Sequence, residues 1–394
     1  MPMRPPAGFI SAFYDPLKNP NVPTSPSATG GDTLATVSFT PPANVGGSAI
    51  TGYGAISNPG DFTGTAASSP VTVSGLTNGS SYTFVVWAIN TYGPSAFSAS
   101  TGSVTPAVPV IGLFAGSNAN TSVIQYISIA TTGNSTLFGN LTSGSNSGAG
   151  CASSTRGIFA LGIVSGSGSS VINYVTMATT GSGTSFGNLS SSLYALGALS
   201  NSTRGVFFGG QTPRTSAMTY ITIATTGNTT SFGNMGTAVA YPAGCASTTR
   251  GVIGGGEGSS ASTSRIDYIT IATTGNATNF GSLNQILSYE ASCSSDTRGL
   301  FAGGYNDVAF VSNIVYITIA STGNSTTFGS LTANAYSITG VSSLTRGVFA
   351  GNADTATSAI SYVTIATTGN AVSFGSLLAN ASSMAGCSNS HGGL

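Results

Sequence analysis

Charge is what this chain has least of: only 5% of its 394 residues are Asp, Glu, Lys or Arg, nine of each sign, and the formal net charge is zero. Ordinary soluble proteins carry roughly 25%. A neutral, charge-poor chain gives electrostatics no reason to recruit nucleic acid or an anionic membrane. Histidine occurs once, as His391, and tryptophan once, as Trp87. With one histidine in the terminal tail, no Ser-His-Asp or Cys-His nucleophile can be assembled, so no catalytic residue is assigned. There is no CxxC pair, phosphate loop or EF-hand, so no metal and no cofactor are expected. No apolar run approaches the roughly 18–20 residues of a membrane span, and membrane insertion is not expected. Met1–Pro6 is followed by no apolar h-region, so no secretion leader is expected. Helical periodicity is also missing.

What is abundant is repetition. A Phe-Gly pair recurs at Phe138, Phe186, Phe232, Phe280, Phe328 and Phe374, at intervals of 46 or 48 residues. A tyrosine stands twelve positions before each: Tyr126, Tyr174, Tyr220, Tyr268, Tyr316 and Tyr362. A period of this length marks a repeat architecture. In one copy, Arg298-Gly299-Leu300-Phe301-Ala302 leads to a variable loop. Tyr316-Ile317-Thr318-Ile319-Ala320 follows, then a Thr322-Gly323-Asn324 turn, the Phe328 strand, and a last strand through Ile338 to Val341. Four short strands per copy predict an all-β chain and a six-bladed β-propeller over residues 108–394. The first copy opens in its second strand, at 112–116. The last ends on an unmatched inner strand around Cys387. The C-terminal segment is therefore expected to pair with 112–116 and close the ring, leaving no exposed edge. The strand order resembles kelch repeats, with Phe where kelch has Trp and double glycine at only Gly209-Gly210, Gly254–Gly256 and Gly303-Gly304.

Two regions precede the repeats. Residues 1–22 form a Pro-rich arm holding Phe9, Ile10, Phe13, Tyr14 and Leu17. Burying such side chains on a neighbouring subunit is worth about 25 cal/mol per Å², so the arm is read as an anchor; an unstructured terminus is the plain alternative. Residues 23–107 read as a β-sandwich, with period-two alternation at Val37–Phe39 and Val71–Val73. Leu76, Tyr82, the strand through Ile89 and Asn90-Thr91-Tyr92-Gly93 resemble fibronectin type III, where Leu and Tyr at this spacing make a tyrosine corner. Phe39 stands where that family has Trp. The resemblance implies a spacer.

One propeller face is nearly invariant among copies and the other is variable. The variable face gathers Arg214, Glu257, Tyr305, Asp307 and Asp354, with Tyr194, Tyr241, Tyr289 and Tyr336 nearby. Tyrosines among neutral polar residues make adaptable contacts and suit sugars; neutral loop drift would give the same variety. Arg156, Arg204, Arg250, Arg298 and Arg346 share one repeat position, with Gly392 in the sixth place. They bond loop carbonyls, or form an anion-gripping ring. Cys151, Cys245, Cys293 and Cys387 also share a position, filled elsewhere by Leu199 and Val341. A site accepting Cys, Leu or Val is a buried apolar one, so free core thiols are expected rather than disulfides.

The whole layout resembles phage virion proteins, in which an arm and a fibronectin type III module precede repeats worded like Tyr268-Ile269-Thr270-Ile271-Ala272-Thr273-Thr274-Gly275-Asn276. That resemblance implies a non-enzymatic, surface-displayed tail fibre, adhesin or capsid decoration, assembled in the host cytoplasm. Its partners would be other virion structural proteins, reached through the arm, further copies of itself, and bacterial surface glycan. The alternative is a purely structural subunit of a capsid or extracellular filament, without a ligand.

Overall fold

The computed structural model describes residues 17–394. Among these every regular element is a strand; no helix is present. The chain divides into one unit ending at Pro109 and a second comprising Val110–Leu394. Of the arm's aromatic and aliphatic residues, Phe9, Ile10, Phe13 and Tyr14 lie outside the described residues. Leu17 is exposed.

The first unit packs a sheet of Thr24–Gly31, Leu34–Thr40 and Val71–Ser74 against one of Thr63–Ala66, Gly52–Asn58, Thr83–Asn90 and Gly93–Pro94. Period-two alternation puts Val37, Phe39, Val71, Val73, Phe84 and Val86 inside. Phe39 fills its place against Tyr53, ring centres 4.9 Å apart. The Tyr82 hydroxyl accepts the Thr77 amide hydrogen at 3.1 Å, the tyrosine-corner bond. Lys18 and Asn21, counted with the arm by sequence, hydrogen-bond to Gly46 and Asn44 of this sandwich. The buried Asn90 side chain holds the Lys18 and Val45 carbonyls.

The second unit contains six antiparallel sheets of four strands, the second with an extra pairing at Ile163–Val164. The third sheet is representative: Gly197–Ser200 innermost, then Arg204–Phe208, Thr215–Thr222 and Thr230–Val239. The first sheet is built from both ends of the unit. Ala385–Ser388 pairs antiparallel with Ile111–Ala115, placing Cys387 opposite Leu113.

The repeat motifs make contacts within each sheet and between successive sheets. Every tyrosine meets the phenylalanine twelve residues later edge-to-face, at 5.8–6.1 Å. The Thr-Gly-Asn turn docks on the Phe-Gly of the preceding sheet. The Gly227 amide, for example, donates to the Phe186 carbonyl at 2.8 Å, and Asn228 Oδ1 accepts from the Asn188 amide at 3.0 Å. A Cβ on Gly187 would stand 2.1 Å from the Gly227 carbonyl oxygen, which is why glycine follows phenylalanine. The turn-to-Phe bonds run through all six sheets, and Gly133 of the first donates to Phe374 of the sixth. A second series links Ser147, Ala195, Tyr241, Tyr289, Ser337 and Ser383, each amide donating to the carbonyl of the preceding member, and Ser147 to Ser383. Both series return to their starting sheet.

The four cysteines are buried and free, and burial pushes the Cys151 and Cys245 thiols up to about 12. Each thiol packs on the glycine of the next sheet's Arg-Gly (Gly112 has no arginine before it). The Cys151 Sγ lies 2.6 Å from where a Cβ on Gly205 would be. Leu199 and Val341 do the same to Gly251 and Gly112.

Each of the five repeated arginines lies over its own sheet's tyrosine and donates through Nη1 to two carbonyls of the next sheet. Arg204 sits 4.3 Å from the Tyr220 ring centre and bonds the Ile271 and Ala272 carbonyls at 3.0 and 2.8 Å. The carbonyl reading therefore accounts for the row. Gly392 is not the sixth member, contrary to the sequence assignment. Strand register puts Ile111 there, opposite Ser128 as Arg156 is opposite Thr176. The misassignment arose because the first sheet takes its strands from opposite ends of the unit.

Candidate functional site

The loops joining the second and third strands of the fourth and fifth sheets differ most in chemistry from their counterparts. In the fourth sheet Glu257–Ser262 forms a tight loop, closed by a Gly258 amide bond to the Ala261 carbonyl. In the fifth, Asn306 Oδ1 accepts the Val308 and Ala309 amides at 3.1 and 2.8 Å. This Asx turn sets the loop between Tyr305 and Phe310. Asp307 adopts φ +65° at its tip and reaches across to the fourth sheet. There its carboxylate accepts the Ser262 amide at 2.8 Å and the Ser262 hydroxyl at 2.5 Å.

Between these loops lies a cleft of about 580 Å³, within the roughly 300–1,000 Å³ typical of small-ligand sites. Tyr289, Tyr305, Phe310 and Tyr336 supply aromatic surface; Glu257, Asp307, Ser262 and Ser288 supply polar groups. The rings form one connected series. Tyr241 stacks on Tyr289 at 3.8 Å, Tyr289 meets Tyr336 edge-on at 6.0 Å, Tyr336 stacks on Phe310 at 4.0 Å, and Phe310 leans on Tyr305 at 5.5 Å. Such mutual packing holds the walls without ligand. Glu257 is fixed from two sides, by Arg214 Nη2 at 2.8 Å and by the Tyr289 hydroxyl, which donates at 3.2 Å. Burial raises the Tyr289 phenol above its usual range, reinforced by neighbouring Tyr241 and Glu257, so it remains a donor.

Of the nine residues singled out on the variable face, seven belong to this constellation: Tyr241, Glu257, Tyr289, Tyr305, Asp307, Tyr336 and Arg214. Two do not. Tyr194 bridges Gln211 in the third sheet, and Asp354 is exposed, its amide bonded to Asn352. By sequence, Tyr194, Tyr241, Tyr289 and Tyr336 form one group. The structure separates Tyr241 and Tyr289, on the left-handed residue of the inner bond series, from Tyr194 and Tyr336, one position earlier.

Residues 21–103 match the fibronectin type III domain model. The first unit carries a fibronectin type III domain. No curated protein matches the chain. That domain contributes no residue to the cleft.

One cleft residue, Phe310, and one residue of a neighbouring cavity, Glu290, escaped the sequence reading. Phe310 is the aromatic of its variable loop, and its pairing with Tyr305 across five positions was the available signal. Glu290 follows Tyr289 at a position held elsewhere by Gly148, Leu196, Pro242, Ile338 and Met384. Its carboxyl is buried against Gly255, and neither oxygen has a hydrogen-bond partner among the described residues. Burial pushes it up to about 8. A carboxyl among apolar equivalents was its mark.

A second, narrow cavity of about 60 Å³ is lined by the six innermost strands. His391 caps it: Nε2 lies 3.2 Å from the Ala152 carbonyl and from the Ser200 hydroxyl, while Nδ1 accepts the Gly393 amide. Burial pushes His391 down to about 4, against the opposing pull of that carbonyl. The neutral ring is a structural plug.

Proposed function

We propose that the chain is a non-enzymatic glycan-binding protein displayed on the surface of a phage particle, as a tail fibre, adhesin or capsid decoration. In this reading the six sheets are the blades of a closed, kelch-like β-propeller. The fibronectin type III domain is a spacer, and residues 1–22 anchor the protein to other virion proteins. Support for the propeller is the pair of hydrogen-bond series that run through six sheets and return to the first. Support for the particle surface is the repeat wording and the charge-poor composition. Buried, free thiols fit assembly in a reducing cytoplasm.

The observation that carries glycan binding is the cleft between the fourth and fifth sheets. Its aromatic faces suit the C–H faces of a sugar ring, and its carboxylates and serines suit hydroxyl groups. The test is the full-length protein on a glycan array, beside a Phe310→Ala, Tyr336→Ala variant of unchanged melting temperature. Signal on a defined set of glycans, lost in the variant, is the expected result. A blank array, or equal signal from the variant, overturns the reading and favours a purely structural subunit.

A further inference from the structure

We propose that this cleft discriminates by charge, accepting neutral or ammonium-bearing sugars and rejecting carboxylated or phosphorylated ones. The inference rests on the glycan reading above and narrows it to a chemical class.

The positive charge of the unit is used elsewhere. Arg156, Arg204, Arg250, Arg298 and Arg346 donate to backbone carbonyls of neighbouring sheets. Arg265 pairs with Asp267 at 2.7 Å, and Arg214 with Glu257 at 2.8 Å. None of these guanidinium groups lines the cleft. An acidic sugar would therefore meet no cation there to replace its lost hydration.

What it would meet is negative. Asp307 places its carboxylate at the cleft wall, where it accepts two hydrogen bonds from Ser262 and has no basic partner among the described residues. Glu257 is balanced by Arg214 on the far side, leaving one uncompensated carboxylate among the lining groups. The faces of Tyr289, Tyr305, Phe310 and Tyr336 carry the negative pole of their quadrupoles and favour an ammonium over an anion.

The experiment compares matched oligosaccharides on the full-length protein at low salt: a neutral galactan, the same backbone oxidised to galacturonate, and glucosamine oligomers against their N-acetylated forms. The neutral sugar should bind at least about tenfold tighter than its acidic match, a difference of about 1.4 kcal/mol. The gap should narrow as ionic strength rises. Asp307→Asn, checked for an unchanged melting curve, should narrow it too, by strengthening the acidic sugar's binding relative to the neutral one's. Glucosamine oligomers should bind at least as well as the acetylated forms. Equal or tighter binding of the acidic sugar overturns the charge selection and leaves glycan binding standing. A gap unmoved by Asp307→Asn also overturns it, since the repulsion would then originate elsewhere. Failure of every sugar to bind, the broad array included, sinks both.

Discussion

Arg346 of the sixth sheet donates through Nη1 to the carbonyl of Ala130, 2.9 Å away in the first. The same nitrogen reaches the Ile129 carbonyl at 3.1 Å, and the guanidinium lies over the Tyr362 ring. One side chain thus ties together sheets more than two hundred residues apart in the chain. Hydrogen bonds from a charged donor contribute about 1.5–3 kcal/mol each at most, and less where partly exposed.

Replacing Arg346 by Gln should therefore destabilise the second unit by roughly 1–3 kcal/mol. Sugar binding should be unchanged, because the cleft lies between the fourth and fifth sheets. Thermal melting and a titration with a bound glycan check both halves. Normal melting with abolished binding would return the arginines to the anion-site alternative.

The thiol–glycine contacts predict a compensating pair. Gly205→Ala would place its methyl 2.6 Å from Cys151 Sγ, and overpacking of this kind costs about 1–3 kcal/mol. Removing the sulfur by Cys151→Ala should recover part of that loss. The double variant should be more stable than the two single losses added together, with a coupling of at least about 0.5 kcal/mol in chemical denaturation. Strict additivity would mean the two residues do not share the space.

The buried Glu290 and the partly buried His391 predict opposite pH limbs. Glu290 has a raised pKa, so between about 4.5 and 8 the folded state holds the proton that the unfolded state releases. Its stabilising effect is complete below 4.5 and is lost as pH rises through 8, a change on the order of 5 kcal/mol at most. His391 has a lowered pKa, so between 6.5 and about 4 the unfolded state takes a proton that the folded state refuses. Stability from this group is present above 6.5 and lost as pH falls through 4, on the order of 3 kcal/mol at most. The two leave a maximum between pH 4.5 and 6.5. Glu290→Gln should flatten the alkaline limb and His391→Gln the acid one, measured as melting temperature against pH. A limb that survives its own substitution would show that another group sets it.

Much of the fold was legible because the repeat motifs are the inter-sheet contacts. Phe-Gly, Thr-Gly-Asn and Arg-Gly each persist where a backbone or a side chain of the next sheet leaves no room for alternatives. Phe186–Gly187 against Gly227, and Gly205 against Cys151, are examples. The cleft was less legible because its residues differ by one position between copies. Tyr241 and Tyr289 sit on the inner bond series and Tyr336 beside it, a distinction of backbone geometry rather than residue type. The Arg-position assignment to Gly392 failed for a topological reason: pairing register, not proximity in sequence, decides that Ile111 stands there. The spacing of Phe310 from Tyr305 was a signal for its place in the loop, but its stacking on Tyr336 depends on how the two sheets are packed.

The central claim is that six sheets close on themselves, and amide hydrogen exchange of the closing donors tests it most directly. Gly133 and Ser147 donate to Phe374 and Ser383. Their counterparts Gly181, Gly227, Ala195 and Tyr241 make the same bonds between sheets adjacent in sequence. Residue-resolved exchange should show Gly133 and Ser147 protected as strongly as those four. Rapid exchange at these two positions, with the others protected, would contradict closure.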